Sequence, residues 1–168
     1  MPFEFQPVLK GTLLELRPLR ADDYDDLYAV AADPLIWEQH PERHRHEAAT
    51  FQRFFQDGLA SGGALIATDA RTGRIIGSSR FDRYDADRRR IEIGWTFLAR
   101  SHWGGTVNGE LKSLMLGHAL RFVETVVFLV GPGNVRSQRA VEKLGAVRAG
   151  ERPDAFGGRS YVYAIARR

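Results

Sequence analysis

The stretch Phe97-Leu-Ala-Arg-Ser-His-Trp-Gly-Gly-Thr-Val-Asn-Gly-Glu-Leu-Lys112 decides the fold, because in it an apolar strand runs into a glycine-bearing loop that opens a helix. Loops of this kind suit phosphate. The first turn of a helix leaves its N–H groups without partners, the helix dipole adds partial positive charge there, and glycine lets the backbone approach an anion closely. Gly104 and Gly105 supply that approach. Two familiar phosphate loops are excluded. A triphosphatase loop needs G-x-x-x-x-G-K-[ST], and although Gly104 and Gly109 have the spacing, Glu110 and Leu111 stand where the phosphate lysine and the magnesium hydroxyl belong. The dinucleotide fingerprint G-x-G-x-x-G is absent, and the strands before the loop do not open a βαβ unit.

Working outward, the segment is preceded by strand patterns at Thr12 to Arg17, Ala64 to Asp69, Arg74 to Tyr84 and Ile91 to Leu98. The last three read as an antiparallel meander, with Ile91, Ile93, Trp95 and Phe97 expected on one face and the turn carried by Asp85, Asp87 and Arg88 to Arg90. Between the first strand and the meander, Tyr24, Leu27, Tyr28 and Ala31 recur at helical spacing behind a first turn rich in aspartate. A second amphipathic helix carries Phe51, Phe54, Phe55 and Leu59 and ends at Gly62-Gly63. Beyond the segment the pattern is helix from Thr106 to Val123, strand from Val126 to Val130, helix from Val135 to Leu144, and strand from Tyr161 to Ile165. The expectation is an α/β domain with a mixed sheet, spanning residues 1–168 as one unit.

Composition narrows the function. The chain of 168 residues is 43% hydrophobic, enough for one core, and contains no cysteine, which removes disulfides, thiolate metal sites and a cysteine nucleophile. Its formal charge of +3 is spread along the chain, so nucleic acid is not implied as a partner. No apolar run approaches the roughly 18 residues of a membrane span, and Met1-Pro2-Phe3-Glu4-Phe5 lacks a signal-peptide pattern; a cytoplasmic protein without membrane contact is expected. His40, His44, His46, His102 and His118 show no metal spacing, and His118 shares a helix stripe with Leu111, Leu114 and Met115, as a hydrogen-bonded core histidine would.

The ordered set of motifs carries a resemblance. Trp103-Gly104 with Glu110 six residues after the glycine, Asn134-Val-Arg-Ser137, Ala140, Glu142-Lys143-Leu144 and Gly145, together with Leu16-Arg17-Pro18-Leu19 and Glu92-Ile93-Gly94-Trp95, resemble the GNAT superfamily of N-acetyltransferases, and within it the RimJ/RimL-like branch. The resemblance covers nearly the whole chain. It implies a mixed, mostly antiparallel twisted sheet of six to seven strands with a splayed centre, flanked by about four helices. It also implies acetyl-CoA as cosubstrate, no metal, and a primary amine as acceptor, and leaves a homodimer open.

By the same resemblance, Trp103, Gly104, Gly105, Thr106, Val107 and Asn108 form the pyrophosphate loop. The pantetheine arm lies along Phe97, Leu98 and Ala99, while Asn134 and Ser137 sit near its sulfur end and Lys143 and Arg136 are candidates for phosphate. Three positions depart from the family pattern: Ser101 replaces Arg or Gln, Thr106 replaces the second loop glycine, and Val141 stands where many relatives carry a tyrosine acid. For catalysis, the backbone N–H near Leu98 is expected to hold the oxyanion, Ser137 to protonate the leaving thiolate, and Glu92 to act as base through water. Deprotonating an α-amine of pKa about 8 costs about 1.4 kcal/mol at pH 7, against about 4.6 kcal/mol for a lysine near 10.4, so a weak base favours the α-amine. Trp37 and His40, with Arg43 or Arg45, are candidates to line the acceptor pocket, together with the loop Arg152 to Arg159. A non-catalytic acetyl-CoA sensor is the alternative, distinguished by the absence of turnover; a nucleotide hydrolase would instead need magnesium-dependent ATP binding.

Overall fold

Alternating apolar residues and glycine-marked turns produce a sheet that the computed structural model describes over residues 2–168. Its strands are β1 (Leu9–Lys10), β2 (Leu14–Pro18), β3 (Ala64–Asp69), β4 (Ile75–Asp85), β5 (Arg90–Leu98), β6 (Thr125–Val130), β7 (Val147–Pro153) and β8 (Arg159–Ala166). The helices are α1 (Tyr24–Ala31), α2 (Ala48–Ser61), α3 (Val107–Ala119) and α4 (Val135–Lys143). The strand order is β1-β2-β3-β4-β5-β6-β8-β7, and every neighbouring pair is antiparallel except β5 with β6.

The mixed sheet and four helices match expectation, but there are eight strands instead of six or seven. The additions are β1, only two residues long, and β7, whose residues are almost all exposed and so lack alternation. The helix expected to reach Val123 closes at Ala119 and continues as turns.

Each face of the sheet has its own core. Leu14, Leu16, Leu65, Phe81, Ile91, Ile93, Val126 and Phe128 pack with Leu111 and Met115 of α3 and Val141 of α4. The opposite face buries Ile66 and Phe97 against Leu27 and Ala31 of α1 and Phe51 and Phe55 of α2. Truncating a fully buried aromatic such as Phe51 to alanine costs about 3–5 kcal/mol. The first residues join the α3-side core, with Phe3 edge-on to Phe81 and Phe122, and His118 Nε2 bonded at 2.8 Å to the Glu4 carbonyl. His118 is therefore the hydrogen-bonded core histidine its helix stripe predicted.

One expectation fails in an informative way. Ile91, Ile93, Trp95 and Phe97 do not share a face: Ile91 and Ile93 point to α3, whereas Phe97 lies in the α1/α2 core. The register between β4 and β5 shifts between Ser78 and Arg80, where Ser79 opposes both Trp95 and Thr96. Trp95 adopts φ 54°, so one extra residue bulges out and inverts the alternation beyond it. Ser79 Oγ bonds Thr96 Oγ1 at 2.8 Å across the bulge, and the Arg80 guanidinium lies 4.3 Å from the Trp95 ring centroid.

The bulge precedes an opening. Strands β5 and β6 pair only at Arg90↔Thr125, Ile91↔Val126 and Glu92↔Val127, after which β5 continues to Leu98 and β6 to Val130 without joining. The sheet thus splits into a V whose vertex is Glu92 and Val127.

Candidate active site

The loop from Leu98 to α3 is held on four sides. Arg100 pairs with Asp33, and His102 Nε2 bonds Asp69 Oδ2 at 2.9 Å while its Nδ1 meets Ser101 Oγ at 2.8 Å. Hydrogen bonding from His102 and the Arg71 amide pulls the Asp69 pKa down to about 2. Trp103 Nε1–H donates to the Leu98 carbonyl at 2.9 Å, and the Arg136 guanidinium stacks 3.6 Å from the Trp103 ring centroid. Gly104 takes φ 75°, a conformation that favours glycine, and turns the chain into α3.

The helical ladder of α3 begins with the Glu110 N–H on the Thr106 carbonyl at 2.9 Å, so the N–H groups of Val107, Asn108 and Gly109 have no acceptor within the helix. The Glu110 carboxylate instead ties α3 to the β1–β2 turn, accepting from the amides of Thr12 at 2.5 Å, Leu13 at 2.8 Å and Leu14 at 3.2 Å. Glu110 is thus spent on structure, which leaves the open amides of the first turn without a competing carboxylate.

Asn108 and Gly109 of this first turn border a cleft of about 1050 Å³ that occupies the V. Phe97, Leu98, Trp103, Gly104, Gly105, Thr106 and Asn108 line it from one side; Asn134, Ser137 and Lys143 line it from α4; Trp37 and His40 close its end. Strand geometry assigns the Leu98 amide. The Ala99 N–H donates to Ile76 of β4 at 2.7 Å, and since successive N–H groups of a strand point to opposite edges, that of Leu98 points into the cleft. At α4 the Asn134 side chain accepts the Ser137 N–H at 3.3 Å and caps the helix.

Two expected cofactor residues do not line the cleft. The Ala99 amide is committed to β4, and Val107 packs into the α3-side core. Val141, 1% exposed, is a core residue.

Glu92 lies elsewhere. It is 4% exposed, at the vertex, on the sheet face opposite to α3, and opens into a separate depression of about 670 Å³ lined also by Arg83, Arg90, Val127 and Arg152. Arg83 Nη1 stands 3.2 Å from Glu92 Oε2 but is misaligned for a hydrogen bond, so that oxygen has no donor. Burial raises the Glu92 pKa, opposed by Arg83 and Arg152.

The acceptor candidates divide. Trp37 is 1% exposed and its Nε1–H donates to the Ala31 carbonyl at 2.9 Å, so it is chiefly a core residue with one edge on the cleft. His40 stands edge-on to Trp37, accepts the Glu42 N–H on Nδ1 at 2.9 Å, and is held neutral by burial, with its pKa pushed down to about 3. Arg45 is buried over the Phe54 and Trp37 rings, at 4.4 and 5.1 Å from their centroids, while Arg43 is exposed. Of the loop Arg152 to Arg159, only Arg152 reaches either cavity, and it reaches the one beside Glu92.

The sequence reading missed Arg139 and Lys112, which also line the main cleft. Arg139 follows Arg136 by three residues and so shares its helix face, a signal that was available. Lys112 is 4% exposed, and burial lowers its pKa to about 8; a lone lysine in an amphipathic helix gives no such warning in sequence.

Comparison with known proteins agrees with this fold. The chain superimposes on a GCN5-related N-acetyltransferase from Brucella melitensis with TM-score 0.85 at 18% identity, covering 98% of this chain and 80% of that one. Mycobacterium smegmatis RimJ in complex with CoA-disulfide gives 0.75 at 17% identity, covering 96% and 86%. Spermidine N-acetyltransferase from Vibrio cholerae in complex with CoA and spermine gives 0.73 at 16% identity, covering 93% and 96%. At these identities the likeness is one of fold. No curated protein matches the sequence. Among the described residues no helix is long and apolar enough to cross a membrane. The family profile of the acetyltransferase (GNAT) domain matches residues 14–147, most of the chain, and the chain therefore belongs to the GNAT acetyltransferase family.

Proposed function

We propose that the chain is an acetyl-CoA-dependent N-acetyltransferase of RimJ/RimL-like type, working as a single unit in the cytoplasm and transferring acetyl to a primary amine, with an α-amino group preferred. The observation that carries this reading is the cleft in the V between β5 and β6, which has the unpaired first-turn amides of α3 at its mouth and the Leu98 N–H on its wall. The residues present fit a CoA moiety. Open backbone donors at residues 107–109, with the cations Arg136, Arg139 and Lys143 beside them, suit a pyrophosphate, and space above Gly104 and Gly105 is free for its approach.

Acetyl-CoA, when bound, supplies an activated thioester carbonyl. The Leu98 N–H, which points into the cleft, would donate to that carbonyl oxygen as negative charge develops on it. Trp37 and His40 close the end of the cleft, and neutral His40 leaves room for an amine without charge repulsion. Glu92, at the vertex on the opposite face and in a depression separate from the cleft, is the base assigned to this reaction and would take the amine proton through water. Its raised pKa strengthens it as a base. Ser137 lies on the α4 wall within the same cleft.

The test is release of free CoA thiol with peptides that offer either a free α-amine or only a lysine side chain. Turnover with the α-amine peptides, a kcat reduced about 10²-fold or more in Glu92→Gln, and unchanged acetyl-CoA affinity in that variant are expected. Preference for lysine side chains contradicts the α-amine assignment. Tight acetyl-CoA binding with no CoA release from any amine establishes the sensor instead, which the apolar Val141 at the usual acid position would suit.

A further inference from the structure

Lys112 is a buried cation with nothing in the fold to explain it. It sits on the second turn of α3, 4% exposed, on the wall of the main cleft, and burial is the sole influence that shifts its titration. Its Nζ lies 5.7 Å from the ring centroid of Phe128, the β6 residue that follows the last parallel pair. The ammonium is therefore at the inner end of the V, whereas Arg136, Arg139 and Lys143 are exposed at its mouth.

The charged groups around it offer no compensation. Glu110, on the same helix, is bound to the amides of residues 12–14. Glu92 of β5 is on the opposite sheet face, and β6 carries no ionisable residue. On α4, Glu142 accepts the Tyr163 hydroxyl at 2.9 Å and the remaining ionisable residues are the cations Arg136, Arg139 and Lys143. His40, from the α1–α2 connection, is neutral. An ammonium on a mostly buried side chain with no acidic partner among these groups is costly, and a site that keeps one on its wall is suited to a ligand that arrives with an acceptor or an anion.

Resting on the acyl-CoA reading of the cleft, we propose that Lys112 is a catalytic residue, the ammonium that stabilises the thiolate of the departing CoA. With the phosphates at the mouth, the inner end of a bound arm would be its sulfur, and the anion that the reaction would produce there is the thiolate. In balance, the amine nitrogen bonds the carbonyl carbon, the C–S bond breaks with its electron pair on sulfur, and the thiolate so formed stands beside the Lys112 ammonium. The amine's own proton leaves by way of Glu92 and water, and Lys112 keeps its proton throughout. Val141 provides no acid, and a serine hydroxyl is a far weaker acid than a thiol, which makes donation from Ser137 uphill. With a pKa near 8, Lys112 is an ammonium at neutral pH, the form that stabilises a thiolate.

The experiment titrates the thiol of CoA bound to wild type, Lys112→Met and Lys112→Gln, by the ultraviolet absorbance of the thiolate, with desulfo-CoA as a probe that lacks the sulfur. In wild type the bound thiol is expected to titrate at least one pKa unit below free CoA, a tenfold preference for thiolate. Both variants return it to the free value or above, bind desulfo-CoA as wild type does, and lose about 10²-fold or more in kcat with KM for acetyl-CoA within about twofold. The same thiol titration in all three proteins, with CoA bound, overturns the role of Lys112 and leaves the acetyltransferase reading standing. Failure of wild type to bind CoA overturns both.

Discussion

Lys112→Met is expected to stabilise the unliganded protein at neutral pH. Burial lowers the lysine pKa from its ordinary 10.5 to about 8, and at 1.36 kcal/mol per pKa unit the fold bears about 3 kcal/mol for holding the charge. Methionine has a similar length and no charge to dehydrate. The sign follows from linkage: below pH 8 both folded and unfolded chains are protonated and the full cost is present. Between about pH 8 and 10.5 the folded state sheds its proton first, so wild-type stability rises with pH, and above 10.5 the cost is gone. Urea denaturation of both proteins at pH 7 and above pH 10.5 measures this directly. The expected result is a Met variant more stable by about 3 kcal/mol at the lower pH and nearly equal to wild type at the higher. A variant that is no more stable at pH 7, or a difference that does not change with pH, refutes the claim that Lys112 carries an uncompensated charge.

Other parts of the site are open to equally direct tests. Gly11→Ala places a Cβ 2.6 Å from Glu110 Oε1, so the carboxylate must leave the amides it accepts from; a loss of about 1–3 kcal/mol in chemical denaturation is expected. Trp37→Phe removes the indole N–H and leaves the Ala31 carbonyl unpaired in the core, costing about 1–3 kcal/mol by the same assay. Asp69→Asn removes a carboxylate whose folded pKa of about 2 lies below its ordinary 3.8. Its stabilising effect is present above pH 4 and lost as pH falls through 2, so melting temperature should fall less steeply across that window in the variant than in wild type.

Residues differ in how much of this the sequence disclosed. The strand-loop-helix at residues 97–112 was legible because Gly104 and Gly105 fall between an apolar strand and a long helix, and the ordered motifs around it extended that reading to the whole fold. Cleft residues such as Phe97, Leu98, Trp103, Gly104 and Asn134 followed from it. The bulge did not, because Trp95 continues an apolar alternation that looks regular until the positive φ inverts it, and Phe97 was assigned to the wrong face as a result. The outward edge of Ala99 is equally hidden, because sequence does not show which edge of a strand each N–H faces, and that of Ala99 faces β4. β7 could not be read because its side chains are solvated and it is defined by main-chain pairing with β8 alone. The ties that hold the loop, Arg100 to Asp33 and His102 to Asp69, join residues far apart in sequence and leave no periodic trace.

The central claim, that the V between β5 and β6 is an acyl-CoA site, is tested most directly by calorimetric titration of acetyl-CoA and of ATP into wild type and Gly104→Glu. The glutamate has open space around its Cβ, costs about 1–2 kcal/mol at a left-handed position, and puts a carboxylate at the mouth where phosphate is expected. Tight acetyl-CoA binding by wild type, little binding of ATP, and loss of acetyl-CoA binding by a Gly104→Glu protein that remains folded are the predicted results. No acetyl-CoA binding by wild type, or binding unaffected by the new carboxylate, contradicts the account.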